Sequence, residues 1–224
     1  MNHYQTTAFT AAIKMKQPLF NYIHPPQVDA RCQHTALKEY DNSNDYVAQI
    51  KFGGTHVVIQ TNGKEVKIRS TTGQRMALLE SHPTINFKEL AATDNWYCFM
   101  GTILNKGLYN EKGIKERNKL VIWDVLAWDG VMLTGKNAPD RLALLPAYSN
   151  PGNPLLQKTK HSCIFVSRYY ENDFDILWES IQSATLLESV ILKDKRTTLQ
   201  PCLNKESNNL GMIKCRKPCL LYKY

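Results

Sequence analysis

The sequence predicts an α+β domain in which antiparallel strands and helices are interspersed. Three observations carry that prediction. Short runs rich in β-branched and aromatic residues recur from Tyr46 onward, several of them joined by tight glycine-containing turns. Helical periodicity appears between such runs, most clearly over residues 173–184, where Phe174, Ile176, Leu177 and Ile181 form an apolar stripe. No internal repeat, low-complexity linker or shift in composition divides the 224 residues, a length that suits one large domain, or one with a small appendage.

Residues 1–30 are mixed and end in His24-Pro25-Pro26, which reads as an extended entry segment. Residues 31–44 are polar and run into a loop-like Asp-Asn-Ser-Asn-Asp stretch at 41–45. Residues 1–45 are therefore taken as an N-terminal extension, packed on or leading into a domain over 46–224. Residues 46–50, 55–60 and 65–70 read as strands, the last two joined through Thr61-Asn62-Gly63-Lys64. Asn-Gly between two such runs is a strong hairpin signal. A second glycine turn and a helix near 86–92 follow. Residues 96–104 and 119–127 form the next strand pair across a polar loop, 105–118, that contains Gly107 and Gly113. The run Leu120 to Leu126 is nearly continuous apolar, which predicts burial on both faces apart from Asp124. After a turn at Trp128-Asp129-Gly130, residues 140–147 read as a helix behind Pro139. Residues 148–160 read as a loop, 164–169 as a strand, 173–184 as a helix and 186–193 as a strand. A polar excursion, 194–210, precedes a last strand at 212–216.

Hydrophobic residues make up 43% and charged residues 21%, which suits a soluble protein with a sizeable core. The start carries no secretory pattern, and no apolar run approaches the ~18 residues of a membrane span. The six cysteines, Cys32, Cys98, Cys163, Cys202, Cys215 and Cys219, contain no Cys-x-x-Cys pair, so a reducing compartment is the expectation. His161-Ser162-Cys163 and Cys215-x-x-x-Cys219 lack the two compact pairs of a zinc site and read as structural. The net charge of +8 favours a polyanionic partner, nucleic acid first.

The chemistry-bearing stretch is Gln49-Ile50-Lys51-Phe52-Gly53-Gly54, a lysine at the rim of a turn that the backbone of a ligand can approach closely. Such a lysine is a nucleophile, a phosphate ligand or a solvated charge, and taken alone it reads as solvated. Taken singly, Trp123 likewise reads as core, Glu188 with Lys193 as a surface pair, and Lys214 with Arg216 as a basic tail.

Four segments stand in order: Lys51-Phe-Gly-Gly54, Val121-Ile-Trp-Asp124, Glu188-Ser-Val-Ile-Leu-Lys193 and Lys214-Cys-Arg216. In that order they resemble motifs I, IIIa, IV and V of the covalent nucleotidyltransferases, which comprise ATP-dependent DNA and RNA ligases and mRNA capping guanylyltransferases. Met100-Gly-Thr-Ile-Leu-Asn105, Val121-Ile-Trp-Asp-Val-Leu-Ala-Trp-Asp-Gly130 and Ile213-Lys-Cys-Arg-Lys-Pro218 look most like phage and large-virus polynucleotide ligases. The resemblance spans residues 25–224 and implies an ATP-grasp-like adenylylation domain whose antiparallel sheets are flanked by helices.

The resemblance also implies the chemistry. Lys51 would attack the α-phosphate of ATP to give a lysyl–AMP, with Lys193 and Lys214 supplying the cationic field that favours the free amine and holding phosphate oxygens. Arg216 would add a forked phosphate contact. Glu188 would hold Mg²⁺ or balance the lysine's charge. Trp123 would stack on adenine, while Gln49, Ile50, Gly54, His56, Arg69 and Thr102 stand at the family's other nucleotide-contacting positions. AMP would then pass to a 5′-phosphate end of DNA or RNA, and a 3′-hydroxyl would displace it. The implied protein is a cytoplasmic monomer, in the host cytoplasm if viral, with no membrane partner.

Five positions depart from the family pattern. Gly53 stands where a polar side chain follows the lysine, His56 where an arginine is usual, and Thr71 where an arginine follows Ser70. Thr102 replaces the glutamate that holds the ribose, and Ser189 replaces a glycine. Arg69 is the candidate to replace the arginine lost at Thr71, from a strand position expected to start on the other face. The chain ends eight residues after Arg216, so no C-terminal OB-type domain is expected. Two alternatives stand beside the ligase: a catalytically degenerate ligase-like module that binds nucleic acid, and a guanylyltransferase that uses GTP.

Overall fold

The computed structural model describes residues 32–110, 112–145, 156–159, 163–200 and 211–217. The entry segment 1–31 with its prolines, most of the loop at 148–160, His161-Ser162, residues 201–210, Cys202 and Cys219 lie outside the described residues.

Eleven strands are described, in two sheets. A four-stranded sheet has the order β11 (Met212–Arg216), β10 (Leu187–Asp194), β1 (Tyr46–Phe52), β9 (Tyr169–Tyr170), with every pairing antiparallel. A seven-stranded sheet runs β3 (Val66–Ser70), β2 (Thr55–Thr61), β4 (Tyr97–Leu104), β5 (Lys119–Trp128), β8 (Ile164–Ser167), β7 (Leu156–Lys158), with β6 (Val131–Met132) beside β5. Its β5–β8 pair is parallel, where only antiparallel pairs were expected. The helices are α1 (Leu37–Ser43), α2 (Ala77–Glu80), α3 (Ala138–Leu142) and α4 (Phe174–Ile181).

The Asn62-Gly63 hairpin forms as its residues predict. Gly63 takes φ +81, and the Asn62 side-chain oxygen accepts from the Lys64 and Glu65 amides at 3.0 and 2.7 Å. Helix α3 starts earlier than expected because Asn137 caps it, accepting from the Asp140 amide at 2.9 Å with Pro139 in the first turn. The expected helix near 86–92 is a 3-10 turn, Phe87–Leu90, that buries Phe87. The expected strand at 164–169 divides: β8 joins the large sheet and β9 the small one. Helices α1 and α2 and strand β7 lie where no element was expected.

The core has two parts. One packs around the large sheet, with Phe99, Met100, Leu120, Ile122 and Val125, and it takes Ile191 and Met212 from the small sheet. The other lies on the reverse of the small sheet, where Ala48, Ile50, Val190 and Leu192 meet Leu37 of α1 and Phe174, Leu177 and Ile181 of α4. One face of the small sheet is thus covered by helices, while the other faces the large sheet.

Candidate active site

In an antiparallel ladder, directly opposed residues share a face and faces alternate along each strand. The pairings Gln49 with Ile191, Lys51 with Ser189 and Val47 with Lys193 continue across to Lys214, Arg216 and Met212. Gln49, Lys51, Ser189, Lys193, Lys214 and Arg216 therefore start from one face, that of Ile191 and Met212, which look toward the large sheet. Ile50 starts from the opposite face. It is 2% exposed in the helix-side core, so its side chain does not reach the Lys51 face, and its carbonyl accepts from the Ser167 hydroxyl at 3.2 Å.

Lys51 and Glu188 form an ion pair at 2.5 Å, with side chains 16% and 31% exposed. The ladder slips there: Lys51 opposes Ser189 and Phe52 opposes Leu187, leaving Glu188 as the extra residue of a β-bulge. A bulge re-aims the side chain it carries, here toward the lysine. Burial would raise the Glu188 pKa, but the Lys51 ammonium, followed by His56 and Lys214, outweighs it and holds the carboxyl below its ordinary value.

The turn after the lysine is built against the 105–118 loop. The Gly53 amide donates to the Leu186 carbonyl at 2.6 Å. A Cβ on Gly53 would stand 2.8 Å from the Leu108 methyl and 3.5 Å from Glu188 Oε1. Leu108 thus fills the space that a larger side chain at this position would occupy. Gly54 is tighter: a Cβ there would meet the Ile103 carbonyl oxygen at 2.4 Å. Glycine at 54 is a steric requirement of the β2–β4 contact.

His56 and Thr102, two of the departures, are cross-strand neighbours, and His56 Nδ1 lies 2.8 Å from Thr102 Oγ1. Each replacement partners the other. Burial, then the Lys51 charge, depresses the His56 pKa from 6.5 to about 4, with Lys214 and Lys106 adding to the effect. The imidazole is therefore neutral at pH 7, and its environment ties β2 electrostatically to Lys51, Glu188 and Lys214 across the inter-sheet space.

Lys193 is placed differently from the expectation. It is 2% exposed, and its Nζ donates to Asp124 Oδ2 and to the Trp123 carbonyl, both at 3.1 Å. Asp124 is fully buried and also receives the Arg141 guanidinium through two bonds of 2.9 Å. Its ammonium is committed to a sealed network, which it would have to leave to take the phosphate-holding role expected of it. The burial expected of the β5 run inverts locally as well. Asp124 is buried and Trp123 is the partly exposed residue, because Met100 opposes Asp124 and Gly101 opposes Ile122, leaving Trp123 as the extra residue of a second bulge. Lys193 Nζ sits 5.2 Å from the Trp123 ring centroid, a cation–π contact with the indole.

Gln49 carries a signal that its sequence position does not reveal. Its Nε2 donates to the Ser167 carbonyl at 3.0 Å, which fixes the amide orientation and leaves Oε1 buried without a partner among the described residues. Ser189 Oγ is the other such atom, on the same face. Buried polar atoms are almost always satisfied, so these two near Lys51 are places for a water or a polar ligand. Arg69 opposes Val58, which puts it on the His56 face of the large sheet, contrary to expectation; its guanidinium donates to the Gly73 carbonyl at 3.2 Å. Lys106, Leu108 and Ser167 are contributors that the motif alignment did not point to; the only sequence signal was the basic character of the 105–118 loop. Among the described residues no group of three histidine, cysteine, aspartate or glutamate side chains is placed to hold a metal ion.

The sequence matches no family model, and no curated protein is significantly similar to it. The fold does have solved counterparts. It is similar to the ligase domain of LigD from M. tuberculosis, at 16% identity and a TM-score of 0.58, over 88% of this chain and 59% of that one. It is similar as well to a mycobacterial DNA ligase D complexed with ATP and MES, at 15% identity and a TM-score of 0.59, over 88% of this chain and 60% of that one. The chain spans about 60% of the length of these structures. It has the fold of a ligase-type nucleotidyltransferase domain. No helix among the described residues is long and apolar enough to cross a membrane.

Proposed function

We propose that the chain is the adenylylation domain of an ATP-dependent polynucleotide ligase. The observation that carries this reading is the single sheet face from which Lys51, Lys214 and Arg216 all start, with Lys51 bonded to a carboxylate held in its ionised form. Three cations on one face, the Lys51 amine among them, suit a triphosphate. The Lys51 proton leaves through Glu188, 2.5 Å away, to water. Lys51 Nζ then bonds to the α-phosphorus as the bond to the pyrophosphate oxygen breaks, and Lys214 and Arg216 stabilise the charge that develops on the phosphate. The AMP is passed to a 5′-phosphate of DNA or RNA and displaced by a 3′-hydroxyl.

The open Gln49 Oε1 favours adenine over guanine. At C6 adenine presents an amino donor to such an acceptor, whereas guanine presents a carbonyl there, leaving two acceptors opposed. Trp123, half-exposed and braced by Lys193, supplies the flat surface for the base. The Glu188 carboxylate suits Mg²⁺, which takes one or two protein carboxylates and completes its shell with phosphates and water. Bound there, Mg²⁺ would neutralise phosphate charge.

Incubation with α-³²P-ATP and a divalent cation tests the proposal. The expected result is a covalent label on the wild-type chain that is lost in Lys51→Ala and outcompeted by unlabelled ATP more effectively than by GTP. A folded wild-type chain that takes no label would overturn the enzymatic reading. Salt-sensitive nucleic-acid binding that Lys51→Ala leaves unchanged would then favour the degenerate binding module.

A further inference from the structure

We propose that the 105–118 loop is a rigid docking platform that holds the polynucleotide substrate beside Lys51, gripping its phosphates with Lys112, Lys115 and Arg117 and stacking an unpaired base on Tyr109. The inference rests on the polynucleotide reading above and deepens it. The segment carries four cations, Lys106, Lys112, Lys115 and Arg117, against two carboxylates. One of these, Glu116, is buried and already bonded to Asn110 and Lys119, so it does not face the surface. All four cations are exposed, and Tyr109 and Ile114 are 49% and 56% exposed at the tip.

The segment is preformed. Asn110 and Ile114 close a turn in which the Asn110 side-chain oxygen accepts from the Lys112 and Ile114 amides at 3.0 and 2.9 Å, and Tyr109 bridges Lys115 across it. Gly107 lets the stems of Lys115 and Arg117 lie close over the backbone: a Cβ there would stand 2.5 Å from Lys115 Cε and 2.7 Å from Arg117 Nε. Lys115 Nζ lies 6.0 Å from the Tyr109 ring centroid, so the exposed aromatic is flanked by charge. Cations interleaved with an exposed aromatic suit single-stranded nucleic acid, whose phosphates and base faces alternate along the chain.

The platform is also anchored to the reactive turn. Leu108 packs on Gly53, Asn105 donates to the Thr55 hydroxyl at 2.8 Å, and the Leu186 amide donates to the Tyr109 carbonyl at 2.8 Å, two residues before Glu188. The charge of Lys106 is felt at His56. A strand held on this surface lies next to the Lys51–Glu188 pair, with a short path for its 5′-phosphate.

Binding of a fluorescent 5′-phosphorylated single strand and of a nicked duplex, measured across a salt series, tests the proposal. The comparison is between the wild-type chain, the triple variant Lys112→Ala/Lys115→Ala/Arg117→Ala, and Tyr109→Ala. Each lost phosphate contact on a single strand removes ~0.7 from the slope of log K against log salt, so the triple variant loses about 2. Tyr109→Ala weakens single-strand binding about tenfold with the slope kept. Unchanged melting temperatures verify that both variants fold. A triple variant with the wild-type slope and affinity overturns the platform even if ATP labelling succeeds. A wild-type chain that does not bind polynucleotide overturns it as well. Binding that tracks the segment in a chain that takes no label supports the platform and sinks the ligase reading instead.

Discussion

Two charge clusters border the same inter-sheet space, and they solve opposite problems. The Lys51–Glu188 pair is one cation and one anion, partly open to solvent, held at a β-bulge. The Asp124–Arg141–Lys193 cluster is one anion and two cations, with side chains 0%, 5% and 2% exposed, and every group is bonded within the cluster or to nearby carbonyls. Sealed, the second cluster can only hold β5, β10 and α3 together. The first retains an amine that a ligand can reach. Both contain a lysine from the same small-sheet face, and what separates them is the carboxylate each meets. A lysine's role here follows from its partner rather than from its motif.

Removing Asp124 should produce the largest effect on stability. Asp124→Asn leaves Arg141 and Lys193 buried without a counter-charge, and breaking such a cluster costs about 3–5 kcal/mol. Urea or thermal denaturation measures it directly, and a loss below about 1 kcal/mol would show that the cluster is solvated. Lys193→Met should cost less, about 1.5–3 kcal/mol, because the two Arg141 bonds still satisfy Asp124. Once folded, that variant should still take an AMP label, weakened only as far as the Trp123 ring loses its brace. Complete loss of label in a folded Lys193→Met chain would restore Lys193 to the chemistry.

The two clusters also titrate in separate windows. His56, beside the open pair, has its pKa lowered from 6.5 to about 4, so between those values the unfolded chain binds a proton that the folded chain refuses. Stability is therefore fully present above about pH 6.5 and falls as the pH drops toward 4, by about 1–2 kcal/mol at pH 5. Asp124 is driven down from 3.8 to about 2: burial would raise it, and Arg141 and Lys193 prevail. Its contribution persists through the His56 window and is lost only as the pH falls below about 4. In His56→Gln, which keeps a hydrogen-bonding side chain opposite Thr102, the melting temperature should decline less between pH 6.5 and 4.5 than in the wild type. Equal slopes would place the titration elsewhere.

Much of this was legible in the sequence, and what was missed shares a physical cause. Periodicity and turn chemistry located the strands at 46–52, 55–61, 97–104, 187–194 and 212–216 because each buries a face and ends at a glycine or polar turn. Helix α1 was missed because its sequence, Leu-Lys-Glu-Tyr-Asp-Asn-Ser, buries only Leu37. Strand β9 is two residues long and is set by its pairing with Ala48 and Gln49 rather than by its own pattern. The site was half legible. Lys51, Glu188, Lys214 and Arg216 keep their motif spacing, but the bulges that aim Glu188 and Trp123 are register slips between strands far apart in sequence. Lys193 could be assigned only by seeing Asp124 and Arg141, 69 and 52 positions away, arrive at its ammonium.

The smallest stability effect is the most discriminating. Lys51→Met removes an ion pair whose members remain partly hydrated, and pairs of that kind contribute about 0–1 kcal/mol. Glu188, left without its lysine, still has solvent access and the Lys214 charge nearby, so no uncompensated buried anion results. The expected outcome is a melting temperature close to wild type together with complete loss of the AMP label. A substantial loss of stability would make the pair a structural counterpart of the Asp124 cluster, and the contrast between the two would collapse. A near-neutral change means instead that the fold keeps Lys51 and Glu188 at the bulge without depending on their attraction, leaving the amine free to exchange its carboxylate partner for a phosphate.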